Sequence, residues 1–275
     1  MTELVRRAVP RGRVVSIRSA LVLALILATT LLEGGPSNGA TSAPTFARTD
    51  HASLGNNHLV ADFNGDGRPD IAGQGAQSAA VLLNRGDGTF GARAEYPVAS
   101  WDQDLAAGDF NGDGRQDLVV TINDPQTSLS LLTGNGDGTF NAAVNFPNTS
   151  GFDSPAVVAT DLNSDGRLDV VIAHQIACFT APCIVGRTIS VMLGNGDATF
   201  QPTREIDVGT GMSKIAVGDF NRDGIKDLGI AGDNSRVYLL RGVGDGTFVQ
   251  QPTLTLTADT LGVDATDIDV ADVNG

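Results

Sequence analysis

Short apolar segments recur along most of the chain, separated by turns rich in Asp, Asn and Gly. Segments 157–160 and 215–218 run into such a turn, whereas segment 118–122 runs out of one. A third kind of segment, such as 188–193, alternates or is continuously apolar, and a fourth kind, such as 141–146, is more polar. Short runs rich in Val, Ile and Thr are typical of strands, and no amphipathic helix pattern occurs among them.

Two motifs repeat in phase along the chain. A nine-residue string, which we call the Asp loop, occurs in four complete copies, at 62–70, 109–117, 161–169 and 219–227. A fifth copy begins at Asp272 and reaches the last residue, Gly275. A second string, which we call the Gly-Asp turn, follows each complete copy, at 86–90, 136–140, 196–200 and 244–248. The starts of the Asp loops are 47, 52, 58 and 53 residues apart, so the repeat unit has about fifty residues.

Each repeat unit contains four candidate strands around its Asp loop and its Gly-Asp turn. Four strands in a unit of this length is the strand count of a β-propeller blade. A blade buries its inner strands on both faces and leaves its outer strand partly wet, which agrees with the order of apolar and polar segments. We therefore predict an all-β fold, a β-propeller of four-stranded blades with four complete blades and a truncated fifth.

The two phased motifs resemble the FG-GAP repeats, also called VCBS repeats, over roughly residues 45–275. This family builds the propeller of the integrin alpha-subunit head and occurs in many secreted bacterial proteins. The resemblance implies an integrin-like propeller domain over 41–275. Integrin-like propellers usually close with seven blades, so it also implies that this chain is an incomplete copy, a fragment of a seven-bladed ring.

The Asp loops have the chemistry of a calcium site. Each loop offers Asp or Asn oxygens at positions one, three, five and nine, and a Gly at position six permits a sharp turn. Calcium takes hard oxygen ligands at flexible geometry, and the EF-hand loop opens with the same positions and the carbonyl of position seven. We therefore expect about four Ca²⁺ ions, one for each complete loop. The expected ligands, with position seven contributing its carbonyl oxygen, are Asp62, Asn64, Asp66, Arg68 and Asp70; Asp109, Asn111, Asp113, Arg115 and Asp117; Asp161, Asn163, Asp165, Arg167 and Asp169; and Asp219, Asn221, Asp223, Ile225 and Asp227.

Two alternatives to calcium remain open for these loops. They could be Asx turns without a metal, although three carboxylates within nine residues repel one another unless a cation lies between them. Magnesium could take the place of calcium, although it prefers to keep its waters.

The Gly-Asp turns allow two interpretations as well. Their acidic residues fit a hairpin turn, with extra metal ligation as the alternative: Asp87, Asp137, Asp197 and Asp245. Their aromatic residues are expected to anchor each outer strand against the neighbouring blade, with carbohydrate stacking as the alternative: Phe90, Phe140, Phe200 and Phe248.

The first forty residues have the pattern of a secretory signal peptide. Arg residues up to Arg18 precede an apolar run over 20–32, and small and polar residues follow over 34–43. The run is short for a bilayer span, which needs about 20 residues, so a retained anchor is the alternative. We predict a signal peptide over 1–40, cleavage near Ala40, no membrane span in the mature chain, and a secreted or cell-surface location.

The charge balance excludes one class of partner. The chain has 32 Asp and Glu against 18 Lys and Arg, a formal net charge of −14 at pH 7. Nucleic-acid binding needs clustered cations at the phosphates, so no nucleic-acid partner is expected. The repeats account for 17 of the 28 Asp residues, so the acidity does not itself point to a cationic partner.

Two Cys residues, Cys178 and Cys183, lie in the third repeat, on the longest connection between a second and a third strand. Two such Cys in an exported protein most often form a local disulfide bond, and we predict one between them. His174 could instead join them on a metal, but three ligands without a fourth are a weak signal.

No catalytic set emerges from the sequence. Glu95 and Glu205 are the only Glu residues after residue 40, and the motifs Gly-x-Ser-x-Gly and His-Glu-x-x-His do not occur. We therefore expect no enzymatic activity and predict a secreted calcium-binding repeat protein, an extracellular binding or adhesion module for a protein or a glycan. The alternatives are the propeller part of a secreted polysaccharide-degrading enzyme, a lyase or hydrolase, and a structural wall or matrix protein without a discrete ligand.

Overall fold

A computed structural model describes residues 14–16, 57–99, 102–124, 127–147, 153–175, 188–209, 211–233, 235–255 and 268–271. These residues form strands joined by turns, and they contain no helix. The strands are β1 Val14–Ser16, β2 His58–Ala61, β3 Asp70–Gln74, β4 Ser78–Leu82, β5 Ala94–Pro97, β6 Asp102–Gly108, β7 Asp117–Ile122, β8 Thr127–Leu132, β9 Val144–Pro147, β10 Asp153–Thr160, β11 Asp169–Gln175, β12 Thr188–Met192, β13 Arg204–Asp207, β14 Lys214–Gly218, β15 Asp227–Gly232, β16 Arg236–Gly242, β17 Phe248–Gln250, β18 Leu254–Thr255 and β19 Asp269–Ala271.

Sixteen strands form four antiparallel sheets of one topology. The sheets are β2 to β5, β6 to β9, β10 to β13 and β14 to β17, and in each sheet every strand pairs with the next. The short β18 also pairs with β16. The Asp loop joins the first strand of each sheet to the second, and the Gly-Asp turn joins the third to the fourth. Because the first and third strands of such a sheet run in the same direction, both motifs lie on one side, which we call the loop side.

The four sheets follow one another as blades of a propeller. Their first strands are neighbours in chain order: β2 lies beside β6, β6 beside β10, and β10 beside β14. Strand β19 lies beside β14 and so takes the position of the first strand of a fifth blade. The predicted all-β architecture, four four-stranded blades and the start of a fifth, is confirmed.

Strand β19 has one further partner. Strand β1 pairs with it antiparallel, from Val14 opposite Ala271 to Ser16 opposite Asp269. Strand β1 lies within the predicted signal peptide, so this pairing belongs to the uncleaved chain. Cleavage near Ala40 would remove β1 from that edge of β19.

The inner strands of the blades carry the core. Every residue of β4, β7 and β15 is buried, whereas the outer strands β5 and β13 keep exposed positions. The alternation seen in the third strands does not mark a wet face, however. Three Ser residues on these strands are buried and donate their hydroxyl protons to outer-strand side chains, in the pairs Ser78–Glu95, Ser130–Asn145 and Ser190–Glu205.

The outer strand of the second blade starts later than the sequence suggests. The polar segment was expected to begin at residue 141, but β9 begins at Val144. Phe140 makes an isolated bridge across the turn to Gly134 instead of extending the outer strand. The first and third blades repeat this bridge, between Phe90 and Asn84 and between Phe200 and Gly194.

In the second and third blades, the Phe of the Gly-Asp turn packs on the preceding blade, as predicted. The Phe140 ring stands edge-on to the rings of Phe63 and Tyr96 in the first blade, with centroids 5.5 and 5.1 Å apart. Phe200 contacts the second blade in the same way, with its centroid 6.0 Å from that of Phe110.

Successive blades meet at a second contact, and we call each such meeting of two blades a joint. Here a residue of the Gly-Asp turn lies against the residue just after the third strand of the preceding blade. A Cβ on Gly138 would come within 2.6 Å of the Leu83 side chain in the preceding blade. Ala198 takes the corresponding turn position in the third blade with φ at 62°, and there the residue equivalent to Leu83 is the smaller Thr133. The three pairs are Leu83–Gly138, Thr133–Ala198 and Leu193–Gly246. Only the joint with a Thr has a turn residue with a Cβ.

We predict that Thr133→Leu destabilises the protein by about 1–3 kcal/mol, because the larger side chain meets the Cβ of Ala198. Adding Ala198→Gly should recover most of the loss, since it recreates the Leu–Gly pair of the neighbouring joints and relieves the positive φ. Urea unfolding of the wild type, both single variants and the double variant measures the coupling. Strictly additive effects would contradict this contact.

Candidate metal loops and neighbouring polar groups

The side-chain oxygens of each Asp loop turn inward onto the backbone of the loop. In the first loop, Asp62 Oδ1 accepts hydrogen bonds from the N–H groups of Gly65 and Asp66 at 2.8 and 3.2 Å. Its Oδ2 accepts from the N–H of Gly67 at 2.7 Å. The bonds from positions five and six to the first Asp recur in all three other loops. The four loops therefore share one local geometry.

Positions one, three and five converge within this geometry. Asn64 Oδ1 accepts from the same Asp66 N–H that bonds Asp62 Oδ1, at 3.1 Å. Asn64 Nδ2 in turn donates to Asp66 Oδ2 at 3.1 Å. These residues lie at or near the solvent-exposed surface of the loop side, so an ion from solution can reach their oxygens.

The Asp at position nine has a different environment from the other three positions. Asp117 is fully buried; its Oδ2 accepts from the N–H of Phe110, at position two of its own loop, at 2.9 Å. Its Oδ1 accepts from the N–H of Gly134, just beyond the end of the third strand, at 2.8 Å. The other blades repeat both bonds on Asp70, Asp169 and Asp227.

This carboxylate thus ties the Asp loop to the end of the third strand, a role that the sequence interpretation missed. The signal was present in the spacing, because the N–H that bonds Oδ1 always lies two residues before the Gly-Asp turn. A residue expected only as a metal ligand is also a structural link within the blade.

The direction of the pKa shift differs between the Asp at position nine and the Asp at position one of the loop. Burial raises the pKa of Asp117, its two N–H bonds act in the opposite direction, and the Asp113 and Asp109 carboxylates raise it further. The pKa of Asp169 is raised by burial and by the equivalent neighbours. At position one, hydrogen bonds led by the Gly67 N–H lower the pKa of Asp62. The three carboxylates of a loop therefore act on one another, and a cation among them would relieve this repulsion.

By type of donor, the loop fits calcium. Carboxylate, amide and carbonyl oxygens are the hard ligands that this ion takes. Within the described ranges, however, no three or more His, Cys, Asp or Glu side chains lie close enough together to hold a metal by themselves. Asn64 and the Arg68 carbonyl would have to contribute, and each oxygen of Asp70 retains a lone pair beyond its N–H bond. The ligand set stays a prediction.

The acidic residues of the Gly-Asp turns are engaged within the turns. Asp137 Oδ1 accepts from the backbone N–H and from the hydroxyl of Thr139, at 2.9 and 2.6 Å. These bonds, led by the one from the hydroxyl, lower the pKa of Asp137. All four turns have the same pair of bonds, which is the hairpin-turn role that we favoured.

A buried polar chain runs through the third blade. Ser190 Oγ lies 2.5 Å from His174 Nε2 and donates to Glu205 Oε1 at 2.6 Å. The single hydroxyl proton goes to Glu205, so His174 Nε2 must carry the proton of the other bond. Burial lowers the pKa of His174, while the Glu205 charge raises it. This chain was not anticipated, since its three members are far apart in the sequence.

The carboxylate of Asp104 joins three successive blades on their innermost strands. Asp104 Oδ2 accepts from Lys214 Nζ at 3.2 Å and from the Val157 N–H at 3.1 Å. Cys178 and Cys183 lie outside the described residues, and the disulfide bond stays a prediction.

The chain belongs to the FG-GAP repeat family. The FG-GAP-like repeat matches it three times, over residues 62–120, 109–172 and 219–275, which together exceed half of its length. The resemblance expected from the two phased motifs is thereby confirmed. A comparison with curated proteins found no match.

Several solved structures are similar in fold. One is an Agrocybe aegerita lectin that recognises non-reducing terminal N-acetylglucosamine, with 26% identity, coverage of 74% of this chain and 52% of the lectin, and a TM-score of 0.50. BBS1N, from its complex with ARL6DN, has 13% identity, coverage of 75% and 58%, and a TM-score of 0.49. The biofilm matrix protein Bap1 of V. cholerae has 16% identity, coverage of 70% and 27%, and a TM-score of 0.42. This chain thus spans less than two thirds of each of these proteins.

In the part of the chain that the structure describes, no helix has the length and apolar character needed to cross a bilayer.

We predict that Asp117→Asn destabilises the protein by about 1–3 kcal/mol even in excess EDTA, because the amide NH₂ cannot accept one of the two buried N–H bonds. The matched control is Asp113→Asn, whose oxygen can still accept from the Arg115 N–H, so its cost without calcium should stay within about 0.5 kcal/mol. Urea unfolding in EDTA compares the two. Equal costs would show that position nine has no structural role of its own.

We predict that the wild type loses stability as the pH falls below about 6.5, the ordinary pKa of histidine, because the buried His174 has a lower pKa than in the unfolded chain. The unfolded chain then binds more protons than the folded one, so acid favours unfolding. His174→Ile should remove this contribution, and the register places the buried Ile122 at the equivalent position of the second blade.

The free energy of unfolding of both proteins is measured at about pH 7.5 and at about pH 5.5. The loss of stability between the two pH values should be smaller in His174→Ile than in the wild type. Ser130 and Asn145 pair beside Ile122, so Ser190 and Glu205 should remain paired in the variant. An identical pH dependence in the two proteins would mean that His174 does not titrate in this way.

Proposed function

We propose that the chain is a secreted, calcium-stabilised propeller module that binds glycans outside the cell and catalyses no reaction itself. The observation that carries the proposal is the similarity to the A. aegerita lectin, at 26% identity over 74% of this chain. A repeat propeller without a recognisable catalytic set, similar to a sugar-binding protein, fits a binding module better than an enzyme. Export is supported by the signal-peptide pattern of residues 1–40.

The side opposite the loop side is the better candidate for ligand recognition. The Asp loops are equal in length in all four complete blades, so they serve each blade in the same way. The connections on the opposite side differ in length, from residues 75–77 in the first blade to 176–187 in the third. Specificity in repeat scaffolds is usually carried by connections that vary.

Calcium has a structural part in this proposal. The residues that would hold it in the second blade are Asp109, Asn111, Asp113 and Asp117, with the Arg115 carbonyl. The ion would neutralise the Asp109 and Asp113 carboxylates, whose charges raise the pKa of Asp117. Because the four loops share one geometry, each bound ion would stabilise its own blade in the same way.

The first test removes calcium. Excess EDTA should lower the melting temperature by roughly 5–10 °C for each site held near a hundredfold over its Kd, and added calcium should restore it. Calorimetric titration should find about four sites, with magnesium as the competing ion. An unchanged melting curve together with no calcium uptake would identify the loops as ordinary Asx turns.

The second test identifies the ligand class. The purified mature chain is applied to a glycan array that includes oligosaccharides ending in N-acetylglucosamine, and hits are titrated in solution. We expect saturable binding that the free sugar displaces. Absence of binding by folded, calcium-loaded protein would reject the glycan proposal in favour of a protein ligand, and release of shorter products from polysaccharides would favour the lyase or hydrolase alternative.

A further inference from the structure

The backbone of one residue of the Asp loop takes part in two different links. In the first blade, the N–H of Phe63, at position two of the loop, donates to Asp70 Oδ2 at 3.0 Å. The carbonyl oxygen of the same residue accepts from the N–H of Gly138, in the Gly-Asp turn of the second blade, at 3.1 Å. The residue next to the first predicted ligand therefore holds the following blade.

The next joint repeats the arrangement. The N–H of Phe110 donates to Asp117, and its carbonyl oxygen accepts from the N–H of Ala198 in the third blade at 2.9 Å. Asp117 also bonds the N–H of Gly134, four residues before Gly138. Hydrogen bonds joined by short backbone segments thus connect the third blade through the second to the first along the loop side.

Aromatic packing holds the same two residues at these joints. The Phe63 ring contacts Phe140, and the Phe110 ring contacts Phe200, both edge-on. A shift of the residue at position two therefore disturbs both a hydrogen bond and a ring contact with the following blade. Both contacts depend on the orientation of the two groups that form them.

The joint between the third and fourth blades departs from this pattern. Position two there is Leu162, which has no aromatic ring. Both Leu162 and the turn residue Gly246 are described, and no hydrogen bond connects the Gly246 N–H with the Leu162 carbonyl. This joint supplies a comparison inside the same molecule.

We propose that each of the first two Asp loops controls the docking of the following blade, so that a cation held in one loop orders the Gly-Asp turn of the next. The inference rests on the proposed calcium binding. An ion that draws positions one, three, five and nine together fixes position two between them, and with it the carbonyl that receives the next turn. Loss of the ion frees the carboxylates to separate and loosens that acceptor.

The experiment is amide hydrogen exchange, followed residue by residue by NMR on the full mature chain with calcium. Asp66→Asn weakens the first loop while keeping the acceptor for the Arg68 N–H. We expect it to speed exchange of the Gly138 amide roughly tenfold or more and to leave the Ala198 amide unchanged. Asp113→Asn should do the reverse. In the third loop, Asp165→Asn should leave the Gly246 amide unchanged, because that joint lacks the bond.

Stepwise chelation of the wild type gives the same readout without a variant. Exchange at the Gly138 and Ala198 amides should rise together with exchange in the loops that receive them. If EDTA changes exchange within the loops but not at these two amides, calcium binding holds and the coupling is wrong. If EDTA changes exchange nowhere, the calcium proposal itself is wrong. A uniform rise over all blades would mean global loosening and would also reject the directed coupling.

Discussion

The buried carboxylate at position nine of the Asp loop is the link on which each blade depends. Its two oxygens bond the N–H groups of two separate segments, the start of the loop and the residue beyond the third strand. Both N–H groups would otherwise be buried without a partner, at a cost of about 1–3 kcal/mol each. With this link in place, the Asp loop and the Gly-Asp turn emerge side by side on the loop side and can form the joint with the next blade.

The joints explain why one sequence pattern recurs with small variations. At the first two joints, the turn places an N–H and a Phe ring against the preceding blade, which presents a carbonyl and a Phe ring. At all three joints, a small turn residue faces the end of the preceding blade's third strand. Thr133 opposite Ala198, where other joints pair Leu with Gly, shows that the two sides of a joint vary together. The Asp104–Lys214 ion pair adds a link among the innermost strands. A blade buries its faces only against its neighbours, so stability lies in the array.

Much of the fold and part of the site could be predicted. The recurring apolar runs, the phased motifs and the Gly at position six led to four-stranded blades with a loop between the first and second strands, because these features depend on neighbouring residues. The outer-strand start at Val144 and the burial of Ser130 and Ser190 were not predicted. They depend on what a neighbouring strand or blade offers, such as the Phe63 ring for Phe140 or the Asn145 amide oxygen for the Ser130 hydroxyl.

The sequence by itself determined the class of fold, the repeat unit and the positions of the acidic residues, since spacing along the chain decides which residues share a turn. Only the tertiary structure decided what those residues contact. Asp117 looks like its loop neighbours in the sequence, yet it is buried and bonded to the N–H of Gly134, seventeen residues away. His174, Ser190 and Glu205 become one hydrogen-bonded chain only when three strands align. Partners of buried polar groups are set by strand register and blade packing, which local sequence does not encode.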